Sequence, residues 1–165
     1  MPSRKVLRRA ARHVDHEMEM VLGTGERLRR PAEAGADPLL RRALLEAWGV
    51  HYRALLEFFH PAKGTRPDVI LAEHYFRDPA IWNRLAPRLT KRQARRREAL
   101  HIMLAHLSYR RHPRLTRWSV ADHELIRLRV RLFFNRLPAR RRRWFPQTAR
   151  RLSNQMDLLD GLTPH

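Results

Sequence analysis

The sequence predicts an all-α protein, a helical bundle of four or five principal helices, and three observations carry that prediction. Apolar residues recur at i, i+3, i+4 and i+7 in several separate stretches. Ser, Thr or Asp stands at the head of those stretches and Pro or Gly at their ends, which is the chemistry of helix starts and stops. No two stretches alternate apolar and polar residues as paired strands do, and no internal repeat is present. A chain of 165 residues is long enough to bury one real core. Residues 1–138 are expected to form that domain, with 139–165 a basic C-terminal extension carrying a short helix.

The first helix is expected from a Ser3 cap to about Leu22. Leu7, Ala10, Ala11, Val14, Met18 and Val21 keep the helical period, and Gly23 and Gly25 are expected to end it. Pro31 to Pro38 reads as a loop. Asp37 followed by Pro38 is a strong helix start, and the second helix is expected to reach about Phe59. Its stripe is Leu40, Leu44, Ala47, Trp48, His51, Leu55 and Phe58. DVILAEHYF, Asp68 to Phe76, fits either a helical turn or an extended strip. Asp78-Pro79 restarts helix through Trp82 and Leu85.

Thr90 to Arg111 is the stretch the bundle is expected to be organised around. Thr90 and Gln93 have capping-box spacing, and Leu100, Met103, Leu104 and Leu107 form a stripe expected to pack on the second helix. Twenty residues of helix span about 30 Å, the length of a small bundle. Ser119, with Asp122 three residues on, caps a further helix through Val130 and Phe133, ended by Pro138. A last short helix is expected over about Thr148 to Leu159, either packed back on the bundle or mobile.

Charge narrows the function. The chain carries a formal net charge of +19, and Arg88 to Arg151 contribute 20 basic against 3 acidic residues, a net of +17. Clustering of that kind is the electrostatic footprint of a polyanion partner. Only three lysines are present, so arginine-rich codon usage is the competing explanation for composition, although it does not account for the clustering. Cysteine is absent, which removes disulfides and thiolate chemistry and fits a reducing compartment. No apolar run reaches the roughly 20 residues of a membrane helix, and the basic N-terminus lacks a signal-peptide core. Cytoplasm is the simplest expectation.

Motifs for nucleoside triphosphate hydrolysis, dinucleotide redox chemistry, zinc proteolysis and serine hydrolysis are all missing. His13, His16 and Glu17 share a helical face, but a solvated face explains them better than a metal. No metal and no cofactor is expected. ARRRRWF, Ala139 to Phe145, places arginines beside aromatics, a combination suited to single-stranded nucleic acid because bases stack and phosphates pair. Membrane-surface docking uses the same residue types.

LLEAWGVHYRALLEFF, then DVILAEHYF with Trp82, then LHIMLAHLSYRR and Trp118 come in an order that resembles a family of small bacterial all-helical proteins. That family carries an Ala-His-Leu-[Thr/Ser]-Tyr segment in a late helix. The likeness covers about Leu39 to Phe134, and its architecture is similar to that of HEPN domains, bundles that include RNA-cleaving toxins and defence nucleases. The resemblance implies RNA as a partner and metal-independent cleavage by an Arg-x(4–6)-His motif. At His106 that motif is broken, because residues 99 to 101 are Ala99, Leu100 and His101.

The residues themselves nominate two groups. His106 and Arg110, with His51, Arg53 and Glu46 on the second helix, are the catalytic candidates, since imidazole beside arginine and carboxylate can move protons at neutral pH. A buried polar network fixing helix register explains the same histidines. Arg95, Arg96, Arg97, Arg140, Arg141, Arg142, Arg143 and Trp144 are the nucleic-acid-binding candidates. The alternative to an RNA-binding domain is a non-catalytic interaction protein with a basic surface, a homodimer or an antitoxin-like protein's partner.

Overall fold

The structure is a computed structural model that describes residues 1–30, 37–62, 64–66, 68–86, 88–91, 93–95, 97–99 and 119–160, with 155–160 as backbone. Every regular element among them is helical. In order these are α1 (Arg4–Arg29), α2 (Pro38–Phe59), a 3₁₀ turn (Ala72–Tyr75), α3 (Pro79–Leu85), α4 (described at 91, 93–95 and 97–99), α5 (Val120–Arg136), α6 (Ala139–Arg142) and α7 (Pro146–Asp160). The all-α fold class is therefore as the periodicity predicts. Residues 100–118, which include the stripe from Leu100 to Leu107, lie outside the described residues.

The caps explain where the helices start. Ser3 accepts from the Val6 N–H at 3.4 Å, Asp37 from Leu39 at 2.8 Å, Asp78 from Ala80 at 2.9 Å and Ser119 from Asp122 at 3.4 Å. At α4 the capping box is reciprocal, with the Thr90 N–H donating to Gln93 Oε1 at 2.9 Å and the Gln93 N–H to Thr90 Oγ1 at 3.3 Å. Each cap satisfies backbone donors that have no partner inside the helix.

Two expected boundaries are corrected. α1 does not stop at the glycines but continues to Arg29, and glycine stands at these two positions because neighbours occupy the space a side chain would fill. A Cβ on Gly25 would come 2.1 Å from His123 Nδ1, and one on Gly23 would come 2.9 Å from Arg151 Nη2. These glycines permit close helix–helix approach rather than helix termination. Leu40, expected on the buried stripe of α2, is 57% exposed. The buried face begins about two turns later, with Trp48, Tyr52, Leu55, Leu56 and Phe59.

Phe133 of α5 is the centre of the core. It is fully buried, and its ring meets Phe58 and Phe59 of α2, Tyr75 and Phe76 of the 3₁₀ segment, Trp82 of α3 and Phe145 at centroid distances of 5.4 to 5.9 Å. Edge-to-face pairs of this kind add about 0.5–1.5 kcal/mol each beyond area burial. Of the rings that meet Phe133, Tyr75 and Trp82 carry a polar group, and backbone satisfies both: Tyr75 Oη–H donates to Leu7 O at 3.1 Å and Trp82 Nε1–H to Phe59 O at 3.1 Å. Segment Asp68 to Phe76 thus resolves as a turn that delivers Tyr75 and Phe76 inward.

The C-terminal stretch, expected as an extension from residue 139, is packed into the bundle at least as far as Leu152. Phe145 is fully buried and Leu152 nearly so. Asp15 of α1, itself buried, accepts from the Gln147 and Thr148 N–H groups at 2.9 Å each. It caps α7 from another helix. Arg151 donates to Glu19 and, at 2.8 Å, to Glu26, closing a second clasp between α1 and α7.

Candidate nucleic-acid interface

The clasp brings two stretches of opposite ends of the chain together. α1 carries Arg4, Lys5, Arg8, Arg9 and Arg12 on its first turns, all exposed, while Leu7 and Ala11 face inward. Spacing of i, i+4 and i+8 puts Arg4, Arg8 and Arg12 in one row about 12 Å long. Capping by Asp15 then holds the start of α7 beside this row. The result is an open groove of about 990 Å³, lined by those five basic side chains with Arg143, Trp144 and Pro146. Among the described residues, no carboxylate lines it.

The electrostatics of the groove are one-sided. Five cations sit at the N-terminal part of α1, where the helix dipole is already positive and cations are disfavoured. The first turn of α1 contains no acidic residue to offset them. The acidic residues of α1 come later, and two of them, Glu19 and Glu26, are occupied by Arg151. Hydrogen bonding to Arg151 holds the Glu19 carboxyl below its ordinary range. An anion entering the groove would relieve repulsion that the fold leaves uncompensated.

The arginine run at α6 divides by role. Arg142 is structural: its guanidinium donates to Leu137 O and Asn135 O at 2.9 Å each, satisfying carbonyls near the end of α5. Arg141 is partly buried and stacks on Trp144, with 6.0 Å from its guanidinium carbon to the ring centroid. Its pKa is lowered first by burial, then by Arg140 and Arg4. Arg140 and Arg143 are exposed, and Arg143 reaches the groove.

The other nominated residues have separate partners. His51 Nδ1 lies 2.7 Å from Glu17 Oε2, and its ring meets that of His16 edge-on at 5.6 Å. Arg53 faces Glu57 one turn on, at 3.5 Å, and Glu46 is exposed. Arg95 is exposed on α4, and Arg97 donates to His60 O at 2.9 Å, at the C-terminus of α2. His106, Arg110 and Arg96 lie outside the described residues. Among the described residues no three His, Asp or Glu side chains are placed to share a metal ion, and no helix is long and apolar enough to cross a membrane.

A second cluster has no signature in the sequence. Arg129, almost fully buried on α5, donates through Nε to His60 Nε2. A ring nitrogen that accepts this bond carries no proton, which accords with a neutral His60. Burial, then Arg129, then Arg97 push its pKa down to about 4. The contact ties the end of α2 to α5 and α4, so it is a joint of the bundle. The groove is hidden in the sequence for a different reason. Asp15, Glu17, Glu19 and Glu26 offset four of the seven α1 cations in a sum along the helix, although they lie beyond the five that line the groove. The signal that points to it is the i, i+4, i+8 row of Arg4, Arg8 and Arg12.

Comparison with protein-family models, curated proteins and solved structures finds no match.

Proposed function

We propose that the protein binds nucleic acid, with RNA the class the HEPN resemblance implies, through the groove between α1 and the α6–α7 corner. One observation carries the reading: six basic side chains and an indole line one open groove, and no described acidic residue joins them. Phosphates pair with guanidinium groups, and counterions released on binding supply the driving force. A cytoplasmic setting suits this reading and the absence of cysteine. Binding rather than cleavage is the reading favoured by the described residues. His51 and Arg53 are engaged by Glu17 and Glu57, and no described histidine lines the groove.

A second reading, a helical interaction protein that docks a protein partner, draws on α2. Leu39, Leu40 and Val50 are 71%, 57% and 50% exposed there. Affinity for a fluorescein-labelled 12-nucleotide RNA, measured by anisotropy across salt concentrations, separates the two. The triple variant Arg4→Ala, Arg8→Ala, Arg12→Ala is expected to bind more weakly. Its slope of log Kd against log salt is expected to fall by about 2, since each phosphate neutralised on a single strand contributes about 0.7. No binding at low salt, or an unchanged slope in the variant, refutes the reading and leaves the interaction protein.

A further inference from the structure

Resting on that reading, we infer that the groove takes a single strand and seats one unpaired base on the indole of Trp144. The shape argues for it first. A B-form duplex is read by an element that protrudes into its major groove, which is about 12 Å wide and admits one helix of about 10–12 Å with its side chains, and an A-form RNA duplex is met by a surface spread across its wide, shallow minor groove. α1 is not such an element, because α2, α5 and α7 pack along it and the α6–α7 corner rises beside its basic row. The cations therefore line a recess. A flexible backbone can follow a recess, whereas a rigid cylinder rests on its rims.

Trp144 argues for it second. Trp144 packs on the core with part of its indole, yet it is only partly buried and the rest of it lines this groove of arginines. Its ring is braced by the Arg141 guanidinium, and the buried Phe145 and the Pro146 start of α7 anchor the chain on its far side. A braced ring loses little freedom on stacking, and stacking needs an exposed base face, which the stacked base pairs of a duplex hide. Arg143 beside it is placed to pair with the phosphate of the stacked nucleotide, and the row from Arg12 to Arg4 continues the backbone track. Stacking tolerates every base, so little sequence preference accompanies it.

The test uses the full chain with two probes, a 12-nucleotide oligouridylate and a 12-base-pair RNA duplex, read by anisotropy and by tryptophan emission. The single strand is expected to bind at least tenfold tighter. Trp144→Ala is expected to weaken single-strand binding about tenfold, within the range measured for base–aromatic stacks, while weakening duplex binding far less and leaving the salt slope unchanged. Trp144→Phe, which keeps a ring in the same place, is expected to restore most of the affinity and to secure the comparison if the alanine variant melts early. Single-strand binding is also expected to quench emission in the wild type more than in Trp144→Phe. Equal affinity for both probes, equal losses on both in Trp144→Ala, or tight single-strand binding without Trp144 quenching overturns the inference while leaving nucleic-acid binding intact. Phosphatidylserine-containing vesicles that blue-shift Trp144 emission and resist competition by oligouridylate overturn it in favour of a lipid surface. Failure of both probes to bind removes the function proposed above instead.

Discussion

Removing the Asp15 carboxylate is expected to lower the melting temperature sharply and to weaken nucleic-acid binding at a groove it does not line. The carboxylate accepts two backbone N–H groups at the head of α7, both at 2.9 Å, from a side chain only 2% exposed. In Asp15→Ala the Thr148 N–H loses its acceptor inside the protein, where Thr148 itself is fully buried, at about 1–3 kcal/mol. Gln147 is exposed, so its N–H can turn to water and its loss is about 1 kcal/mol. Loss of a negative charge at a helix N-terminus adds about 0.3–1 kcal/mol. Together these come to about 3 kcal/mol, or about 6–12 °C in Tm for a chain of this size. Asp15→Asn keeps one acceptor oxygen and is expected to lose about half as much. Thermal melting by circular dichroism reads both variants. Because Pro146 and Trp144 are carried by the segment that Asp15 pins, RNA affinity is expected to fall with Tm. A drop of less than about 2 °C in Asp15→Ala refutes the tertiary cap.

Two further perturbations have signs set by the packing. Gly25→Ala gains about 1 kcal/mol of helix propensity but drives a methyl group into the buried His123 ring, and is expected to destabilise by about 1–3 kcal/mol net. Gly23→Ala meets only the flexible end of Arg151 and is expected to stay within about 1 kcal/mol of wild type, so equal denaturant midpoints for the two would contradict the packing. Acid is expected to destabilise the fold before the carboxylates titrate. His60 and His123 are both pushed down to about 4 from an ordinary 6.5, chiefly by burial, so the unfolded chain binds their protons more tightly. Their stabilising contribution is complete above about pH 6.5 and is lost as pH falls toward 4. Denaturant midpoints measured between pH 7 and 5 should decline, and a flat profile over that window would contradict it.

Much of the architecture follows from local rules that act within a few residues. Cap geometry at Ser3, Asp37, Asp78, Thr90 and Ser119 is a matter of side chains reaching backbone three or fewer positions away, so composition near each start predicts it. Periodicity likewise identifies the stripe of α1 and most of that of α2. Charge, by contrast, is a long-range quantity that a linear sum misplaces. Counted along the sequence, it points to Arg140 to Arg143, yet Arg142 and Arg141 are drawn into capping and stacking by neighbours that only the folded chain supplies. Sequence placed Trp144 among the candidates; the Asp15–α7 cap placed it opposite Arg4, Arg8 and Arg12, more than a hundred residues away. The glycines show the same division. Alone they read as a helix end, because glycine is a poor helix former. Against His123 and Arg151 they read as contact points, because the free energy of close packing between helices exceeds the modest propensity cost within one.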